Sequence, residues 1–261
     1  MSVAVIKLGG NEVDDRAWLD ALAAAVARRG GRAVLVHGGG KEVTALQRAL
    51  GAEPEWRDGL RVTTEEGMLA VAMVLSGVVN KRIASALLTA GADAVGVSGE
   101  DGALIEARVA RGGAMGRTGE VSRVRAALLH GWLDQGLVPV VSPVSRGPDG
   151  RPLNVNADDA AAAVAAAMEA DELLFVSNVP GVLARGAVLE AVGAGEVEGL
   201  IEDGTAAGGM APKLRAAARA AEAGVARVRI GGVEMLDDGA AGTRVHREAQ
   251  PAGTTPEGAL G

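Results

Sequence analysis

The chain of 261 residues contains no cysteine, which excludes disulfides, thiolate metal sites and thiol nucleophiles together. It has no tyrosine, a single phenylalanine (Phe175) and three tryptophans, too few aromatic faces for a platform on which nucleic-acid bases stack. Its three histidines, His37, His130 and His246, lie far apart in the sequence. Lysine is scarce as well: of 26 basic residues four are lysine, Lys7, Lys41, Lys81 and Lys213. Arginine is the default cation, a bias that genomic composition alone can produce, and it only weakly favours lysine at positions where a compact ammonium matters. A net charge of −7 and a pI near 5.1 leave no basic surplus for a phosphate backbone, and nucleic acid is not expected as a partner. No apolar run approaches the roughly 20 residues that span a bilayer, and no basic leader or cleavage site precedes the apolar segment from Val3. A cytoplasmic protein without membrane association is expected.

What is present is a rhythm. Apolar runs of strand length (VAVIKL, AVLVHG, DAVGVSG, VPVVSP, ELLFVSN, ARVRIGG) alternate with helical stretches at 14–29, 41–50, 65–89, 124–135, 158–169 and 210–223. Short continuous apolar strands between helices predict a mostly parallel sheet covered on both faces, with ligand loops at the carboxyl ends of the strands. The segment from Gly102 to Ser122 breaks the pattern and reads as an antiparallel excursion. With 48% hydrophobic content, the length suits two lobes. The boundary is placed near Asp171, giving lobes at 1–171 and 172–245 and a polar, disordered tail at 246–261.

Four segments could carry chemistry. In KLGG (Lys7 to Gly10) and VHGGGKEV (Val36 to Val43), glycines follow a strand, and in the second they precede a helix. The second loop can turn its backbone N–H groups inward at the positive end of a helix dipole, which makes an anion site; the alternative is a tight turn whose glycines only supply positive φ. The KLGG pair by itself fits either a strand-end charge or a phosphate contact. Neither matches the Walker or the dinucleotide glycine pattern. His37 reads as a satisfied strand-end histidine, and Lys41 as a solvated charge. Arg61, set between Leu60 and Val62, suits either an internal acidic partner or a ligand carboxylate. Thr63 or Thr64, followed by glutamates, reads as a helix cap. In LNVNADD, Asn154, Asn156 and Asp158 alternate onto one side of an extended chain; one of them suffices to cap the helix that follows, and the surplus points to a site. In GGMAPK, Lys213 stands near a helix start, where the dipole disfavours a cation unless an anion is near. Two lysines, glycine loops and one carboxylate, without a well-placed general base, fit phosphoryl transfer to an acceptor that is already a carboxylate. Two negative charges about 4 Å apart cost on the order of 4 kcal/mol at an effective dielectric of 20, which Lys7, Lys213 and Mg²⁺ would offset.

KLGGN, VHGGGKEV, GLRVT, NVNAD, SNVPGVL and GGMAPK, in this order, resemble the amino acid kinase family, and most closely its branch that phosphorylates the γ-carboxylate of N-acetyl-L-glutamate in arginine biosynthesis. The resemblance implies the three-layer αβα sandwich of the carbamate kinase-like fold, with an amino-terminal lobe for the acyl amino acid and a carboxyl-terminal lobe for ATP. It implies that Lys7 and Lys213 stabilise the transferred phosphoryl group and that Asp158 holds both ammonium groups. Gly9 and Gly10 would bind phosphate, and Gly39 and Gly40 the acceptor carboxylate. Arg61 would grip the substrate α-carboxylate and Asn154 its N-acetyl end. The nucleotide would lie along Asn178, Val179, Pro180, Gly181, Val182 and Leu183 and near Thr205, Ala206 and Ala207, with Mg²⁺ held by ATP oxygens and water rather than by the protein. An arginine-insensitive homodimer paired through the amino-terminal lobe is implied as well. Two features depart from the family: Asn178 stands where many members have aspartate, and the excursion around Arg108 to Gly119 leaves the lid over the substrate unassigned. A kinase for 2-aminoadipate on an acidic carrier protein would share every catalytic residue and would need a basic patch near the acceptor pocket. A non-catalytic sensor of amino acids or nucleotides would keep the fold alone.

Overall fold

A computed structural model describes residues 2–247 except 11, 31 and 58; residues 248–261, most of the expected tail, lie outside the described residues. In chain order the strands are β1 (Val3–Leu8), β2 (Arg32–His37), β3 (Glu55–Arg57), β4 (Leu60–Val62), β5 (Ala94–Gly99), β6 (Ile105–Val109), β7 (Thr118–Val124), β8 (Val138–Arg146), β9 (Pro152–Val155), β10 (Glu172–Val176), β11 (Leu183–Ala184), β12 (Ala187–Val188), β13 (Ala191–Gly193), β14 (Arg227–Gly231) and β15 (Thr243–His246). The α-helices are α1 (Arg16–Arg29), α2 (Gly40–Ala49), α3 (Glu65–Ala72), α4 (Asn80–Thr89), α5 (Ala126–Asp134), α6 (Ala157–Ala167), α7 (Val197–Glu202) and α8 (Met210–Glu222).

Eleven strands form one sheet in the order β13-β15-β14-β10-β1-β2-β8-β6-β7-β9, with β5 added beside β8. The central pairings β10–β1, β1–β2, β2–β8 and β10–β14 are parallel. The excursion after Gly102 is the antiparallel pair β6–β7. Period-2 alternation along β1 sends Val3 and Val5 into one apolar core and Ile6 and Leu8 into another. The first core is roofed by α5, α6 and α8, the second by α1, α3 and α4, so the two cores belong to the two faces of the sheet. Both cores, and the β1–β10 ladder, run across the Asp171 boundary without a break. The same parity decides where Lys7 points: it shares the Val3–Val5 face, toward α6 and α8.

Helix ends follow local chemistry. Asp15 caps α1 by accepting from the Trp18 N–H at 3.1 Å, and Gly30 closes it in the left-handed conformation. Thr64 caps α3 through the Gly67 N–H at 3.0 Å. The expected helix 65–89 is continuous but contains a π-helical segment, Met73–Val79, around the Ser76–Gly77 pair, where the weak helix former and the Ser76–Ser142 hydroxyl contact of 2.8 Å favour a wider turn. Contrary to the sequence reading, this composite helix of 25 residues is long and apolar enough to cross a membrane by length and composition. Its inner face, with Val71, Leu75, Val79 and Ile83, is instead buried against the sheet.

Candidate active site

Three strand ends converge on one crevice: β1 delivers Lys7 and Gly9–Gly10, β2 delivers Gly38–Gly40, and β10 leads into Ser177. The two glycine loops touch backbone to backbone. A β-carbon on Gly10 would lie 2.5 Å from the Gly39 nitrogen, and one on Gly39 would lie 2.7 Å from Leu75 Cδ2, so neither position admits a side chain without displacement. The N–H groups of Gly10, Gly39 and Gly40 have no protein acceptor among the described residues. Gly9 differs from its expected role as a phosphate donor: its N–H bonds the Val176 carbonyl at 2.9 Å, because it continues the β1–β10 ladder by one residue.

Asn156 caps α6, accepting from the N–H groups of Asp158 (2.8 Å) and Asp159 (3.2 Å). Capping therefore leaves the Asp158 carboxylate free, and its Oδ1 lies 2.8 Å from Lys7 Nζ, with both side chains buried. That oxygen takes no aligned hydrogen bond among the described residues, so charge attraction holds the pair. Lys213, also buried, donates to Ser177 Oγ at 3.2 Å. Asp158 thus pairs directly with Lys7, while it reaches Lys213 only as a charge. Burial lowers the Lys213 pKa from its ordinary value, and repulsion by Lys7 lowers it further; Asp158 and Glu12 oppose this.

Arg61 is 6% exposed. Its guanidinium donates to Gln47 Oε1 (2.5 Å), Thr44 Oγ1 (2.7 Å) and the Gly40 carbonyl (3.0 Å), and lies 4.4 Å from the centre of the Trp56 ring. All these partners are neutral, and among the described residues no carboxylate pairs with it; burial lowers its pKa. Asn154 donates to Thr63 Oγ1 at 3.0 Å, and Thr118 ties the same corner to the Arg61 carbonyl at 2.6 Å. Lys7, Gly10, Gly39, Gly40, Arg61, Asn154 and Asp158 line one cavity of about 210 Å³. The short hairpin β3–β4, carrying Trp56 and Arg61, forms one wall; the Arg108–Gly119 excursion contributes only Thr118 to the lining.

The segments 178–183 and 205–207 lie outside that lining. Asn178 and Pro180 are exposed, whereas Val182 and Ala206 are fully buried in the core roofed by α8, so only part of each segment can meet a ligand. His37 is satisfied as expected: Nδ1 faces the Gly38 carbonyl at 2.9 Å and Nε2 the Asn80 amide at 3.1 Å, and burial pushes its pKa down to about 4. Lys41 pairs with Asp14 on the surface at 2.7 Å. Sequence reasoning missed Gln47, Thr44, Trp56, Ser177 and Glu12. The Thr44-x-x-Gln47 spacing, one helical turn on an otherwise apolar inner face, was the available signal for the first two.

The profile of the Amino acid kinase family matches residues 2–232. The chain belongs to the amino acid kinase family. A relative from Roseiflexus sp. (strain RS-1), named acetylglutamate kinase, is 48% identical over 251 residues, 95% of this chain and 94% of that one. Among solved structures of this fold, smu.665 from Streptococcus mutans UA159 superposes with a TM-score of 0.83 at 30% identity, covering 94% of this chain and 98% of that chain. The carbamate kinase of Giardia lamblia bound to AMP-PNP gives 0.70 at 20% identity over 95% and 99% of the two chains, a likeness of fold alone. The family fold is therefore the αβα sandwich expected from the strand–helix rhythm.

Proposed function

We propose that this chain transfers the γ-phosphoryl group of MgATP to the γ-carboxylate of N-acetyl-L-glutamate, giving N-acetylglutamyl 5-phosphate in arginine biosynthesis. The observation that carries this reading is a single cavity with a guanidinium that has no carboxylate partner among the described residues, Arg61, and an ion-paired ammonium, Lys7. Arg61, held flat by Gln47, Thr44 and Trp56, takes the substrate α-carboxylate, and Asn154 faces the acetyl amide. Free N–H groups at Gly10, Gly39 and Gly40 meet the reacting carboxylate and the incoming phosphoryl oxygens. Lys7 and Lys213 neutralise the charge spread over those oxygens, and Asp158 fixes Lys7. No general base is needed, since the attacking oxygen carries no proton. The relatives' shared name supports the acceptor assignment.

Among the described residues no three histidines or carboxylates converge as a metal cage, and Asp158 is committed to Lys7. Mg²⁺ therefore enters as part of the nucleotide, on phosphate oxygens and water. The exposed parts of 178–183 and 205–207 flank the Lys213 side and supply the nucleotide surface, which divides the roles into acceptor binding by 1–171 and nucleotide binding by 172–245. The rim beside the acceptor cavity carries Lys41 and Arg48, but Asp14 and Glu53 neutralise them. Such a balanced rim favours a free small acceptor over one carried on an acidic protein. On the outer face of the helix at 65–89, Leu69 is 61% exposed and Met73 and Val78 are more than half exposed, an apolar stripe suited to the same stripe on a second copy.

Purified protein incubated with ATP, Mg²⁺ and N-acetylglutamate, with hydroxylamine to trap the acyl phosphate, should yield hydroxamate. A yield no higher than in controls lacking the acceptor overturns the proposal. Size-exclusion chromatography with light scattering should give twice the chain mass, and Leu69→Glu should give the monomer.

A further inference from the structure

Glu12 lies two residues beyond the KLGG loop, and its side chain is 9% exposed. Its carbonyl accepts from the Asp15 N–H at 2.9 Å, but its carboxylate makes no hydrogen bond or close ion pair among the described residues, and it is not the α1 cap, which is Asp15. Its carboxylate fills the space a side chain at position 9 would need: a β-carbon on Gly9 would lie 2.1 Å from Glu12 Oε2 and 3.5 Å from the Val176 carbonyl. The residue thus folds back over the loop, toward the end of β10 where Ser177 and Lys213 meet. Its carboxylate oxygens are not fully sealed from solvent, but a largely buried carboxylate with no bonded partner still gains from a nearby positive charge.

The compensating charge is identifiable by elimination. Asp158 sits 2.8 Å from Lys7, so that pair is closed. Lys213 has only a neutral hydroxyl in contact, Ser177 Oγ at 3.2 Å. The charged groups facing its ammonium are Lys7 from β1, Asp158 from α6 and Glu12 from the loop before α1. Of the two anions, Glu12 alone is uncommitted. We propose that Glu12 is a positioning residue for Lys213, its carboxylate keeping that ammonium charged and aimed at the nucleotide side of the crevice. The site is then two lysine–carboxylate couples, one tight and one loose. The loose couple leaves Lys213 free to turn from Ser177 onto a phosphoryl oxygen, and Glu12 keeps it from losing its proton in a site that burial and Lys7 both make hostile to a second cation.

This inference rests on the phosphoryl-transfer reading, and the experiment separates the two. Glu12→Gln and Glu12→Asp are compared with the unaltered protein, after their melting curves show that each is folded. The measurement is the pH dependence of kcat for hydroxamate formation, with the KM for N-acetylglutamate. Gln should lower kcat about tenfold and move the alkaline limb down by about one pH unit, since one opposing charge shifts a neighbour by this order, while the acceptor KM stays within about twofold. Asp should restore most of both. A Gln variant with kcat and alkaline limb unchanged overturns the proposal, as does an unchanged limb with a raised Mg²⁺ requirement, which would make Glu12 a metal ligand. If the unaltered protein makes no hydroxamate, the reading of the reaction fails on its own. Calorimetric MgADP binding against pH then tests Glu12 separately: the Gln variant should lose affinity at lower pH than the unaltered protein, and coincident curves overturn the inference.

Discussion

Arg61 and Arg117 are both buried, both beside the acceptor cavity, and differ in what surrounds their charge. Arg117 grips Asp149 with two nitrogens, at 2.7 and 3.3 Å, and the Pro152 carbonyl with two more contacts. The guanidinium in return holds the Asp149 carboxyl down at about 2. Arg61 makes three hydrogen bonds to Arg117's four, all to neutral oxygens, and lies over an aromatic ring. Geometry is satisfied at both; charge is satisfied at one. Burial alone would rank the two together; what separates them is that Arg61 has no carboxylate partner among the described residues, which suits it to a ligand anion.

Substitutions can break that contrast. Arg61→Ala should cost about 4 kcal/mol of acceptor recognition, roughly a thousandfold in kcat/KM for N-acetylglutamate, with most of the loss in KM; a change under tenfold removes Arg61 from the site. A third buried base, His37, extends the comparison to a group that is neutral by design. With its folded pKa at about 4 and an unfolded value near 6.5, the unfolded chain binds the extra proton first as pH falls. Stability is therefore intact above pH 6.5 and is lost between 6.5 and 4, on the order of 3 kcal/mol. Denaturant midpoints across that range check the sign. Arg117→Ala should lower the melting temperature by several degrees, because the Pro152 carbonyl and Asp149 lose their donor, while kcat/KM moves less than about threefold. The smallest effect is expected from Trp56→Ala: loss of a half-exposed cation–π contact, about 1 kcal/mol, should raise the acceptor KM roughly fivefold and leave kcat alone.

Much of this was legible in the residues. The strand–helix alternation gave the sheet covered on both faces, whereas the face that Lys7 shares with Val3 and Val5 is visible only in the folded cores. Local periodicity reports local structure, and the alternation is local. The hairpin carrying Trp56 and Arg61 was missed although Asp58–Gly59 is a hairpin signal, because its strands are three residues each, too short for an alternating pattern. Gln47 and Ser177 could not be matched with Arg61 and Lys213, since those meetings depend on how α2 and β10 sit in the completed sheet. The glycine runs pointed to inward-turned N–H groups, yet did not show that the two loops touch or that Gly9 extends the ladder.

The β1–β10 register pairs five consecutive residues in parallel, Ala4 with Glu172 through Leu8 with Val176, at the line where two lobes would part. A swinging door needs a line that few bonds cross, and this line is stitched along its length. A tilt of 172–245 against 1–171 about that line would have to tear the ladder. Relative movement of the two segments is therefore expected as torsion distributed over the whole plate, a slight rewinding of strand twist. Stiffness at the centre then has a use: the two lysines, set on either side of the stitching, keep their spacing while the edges move.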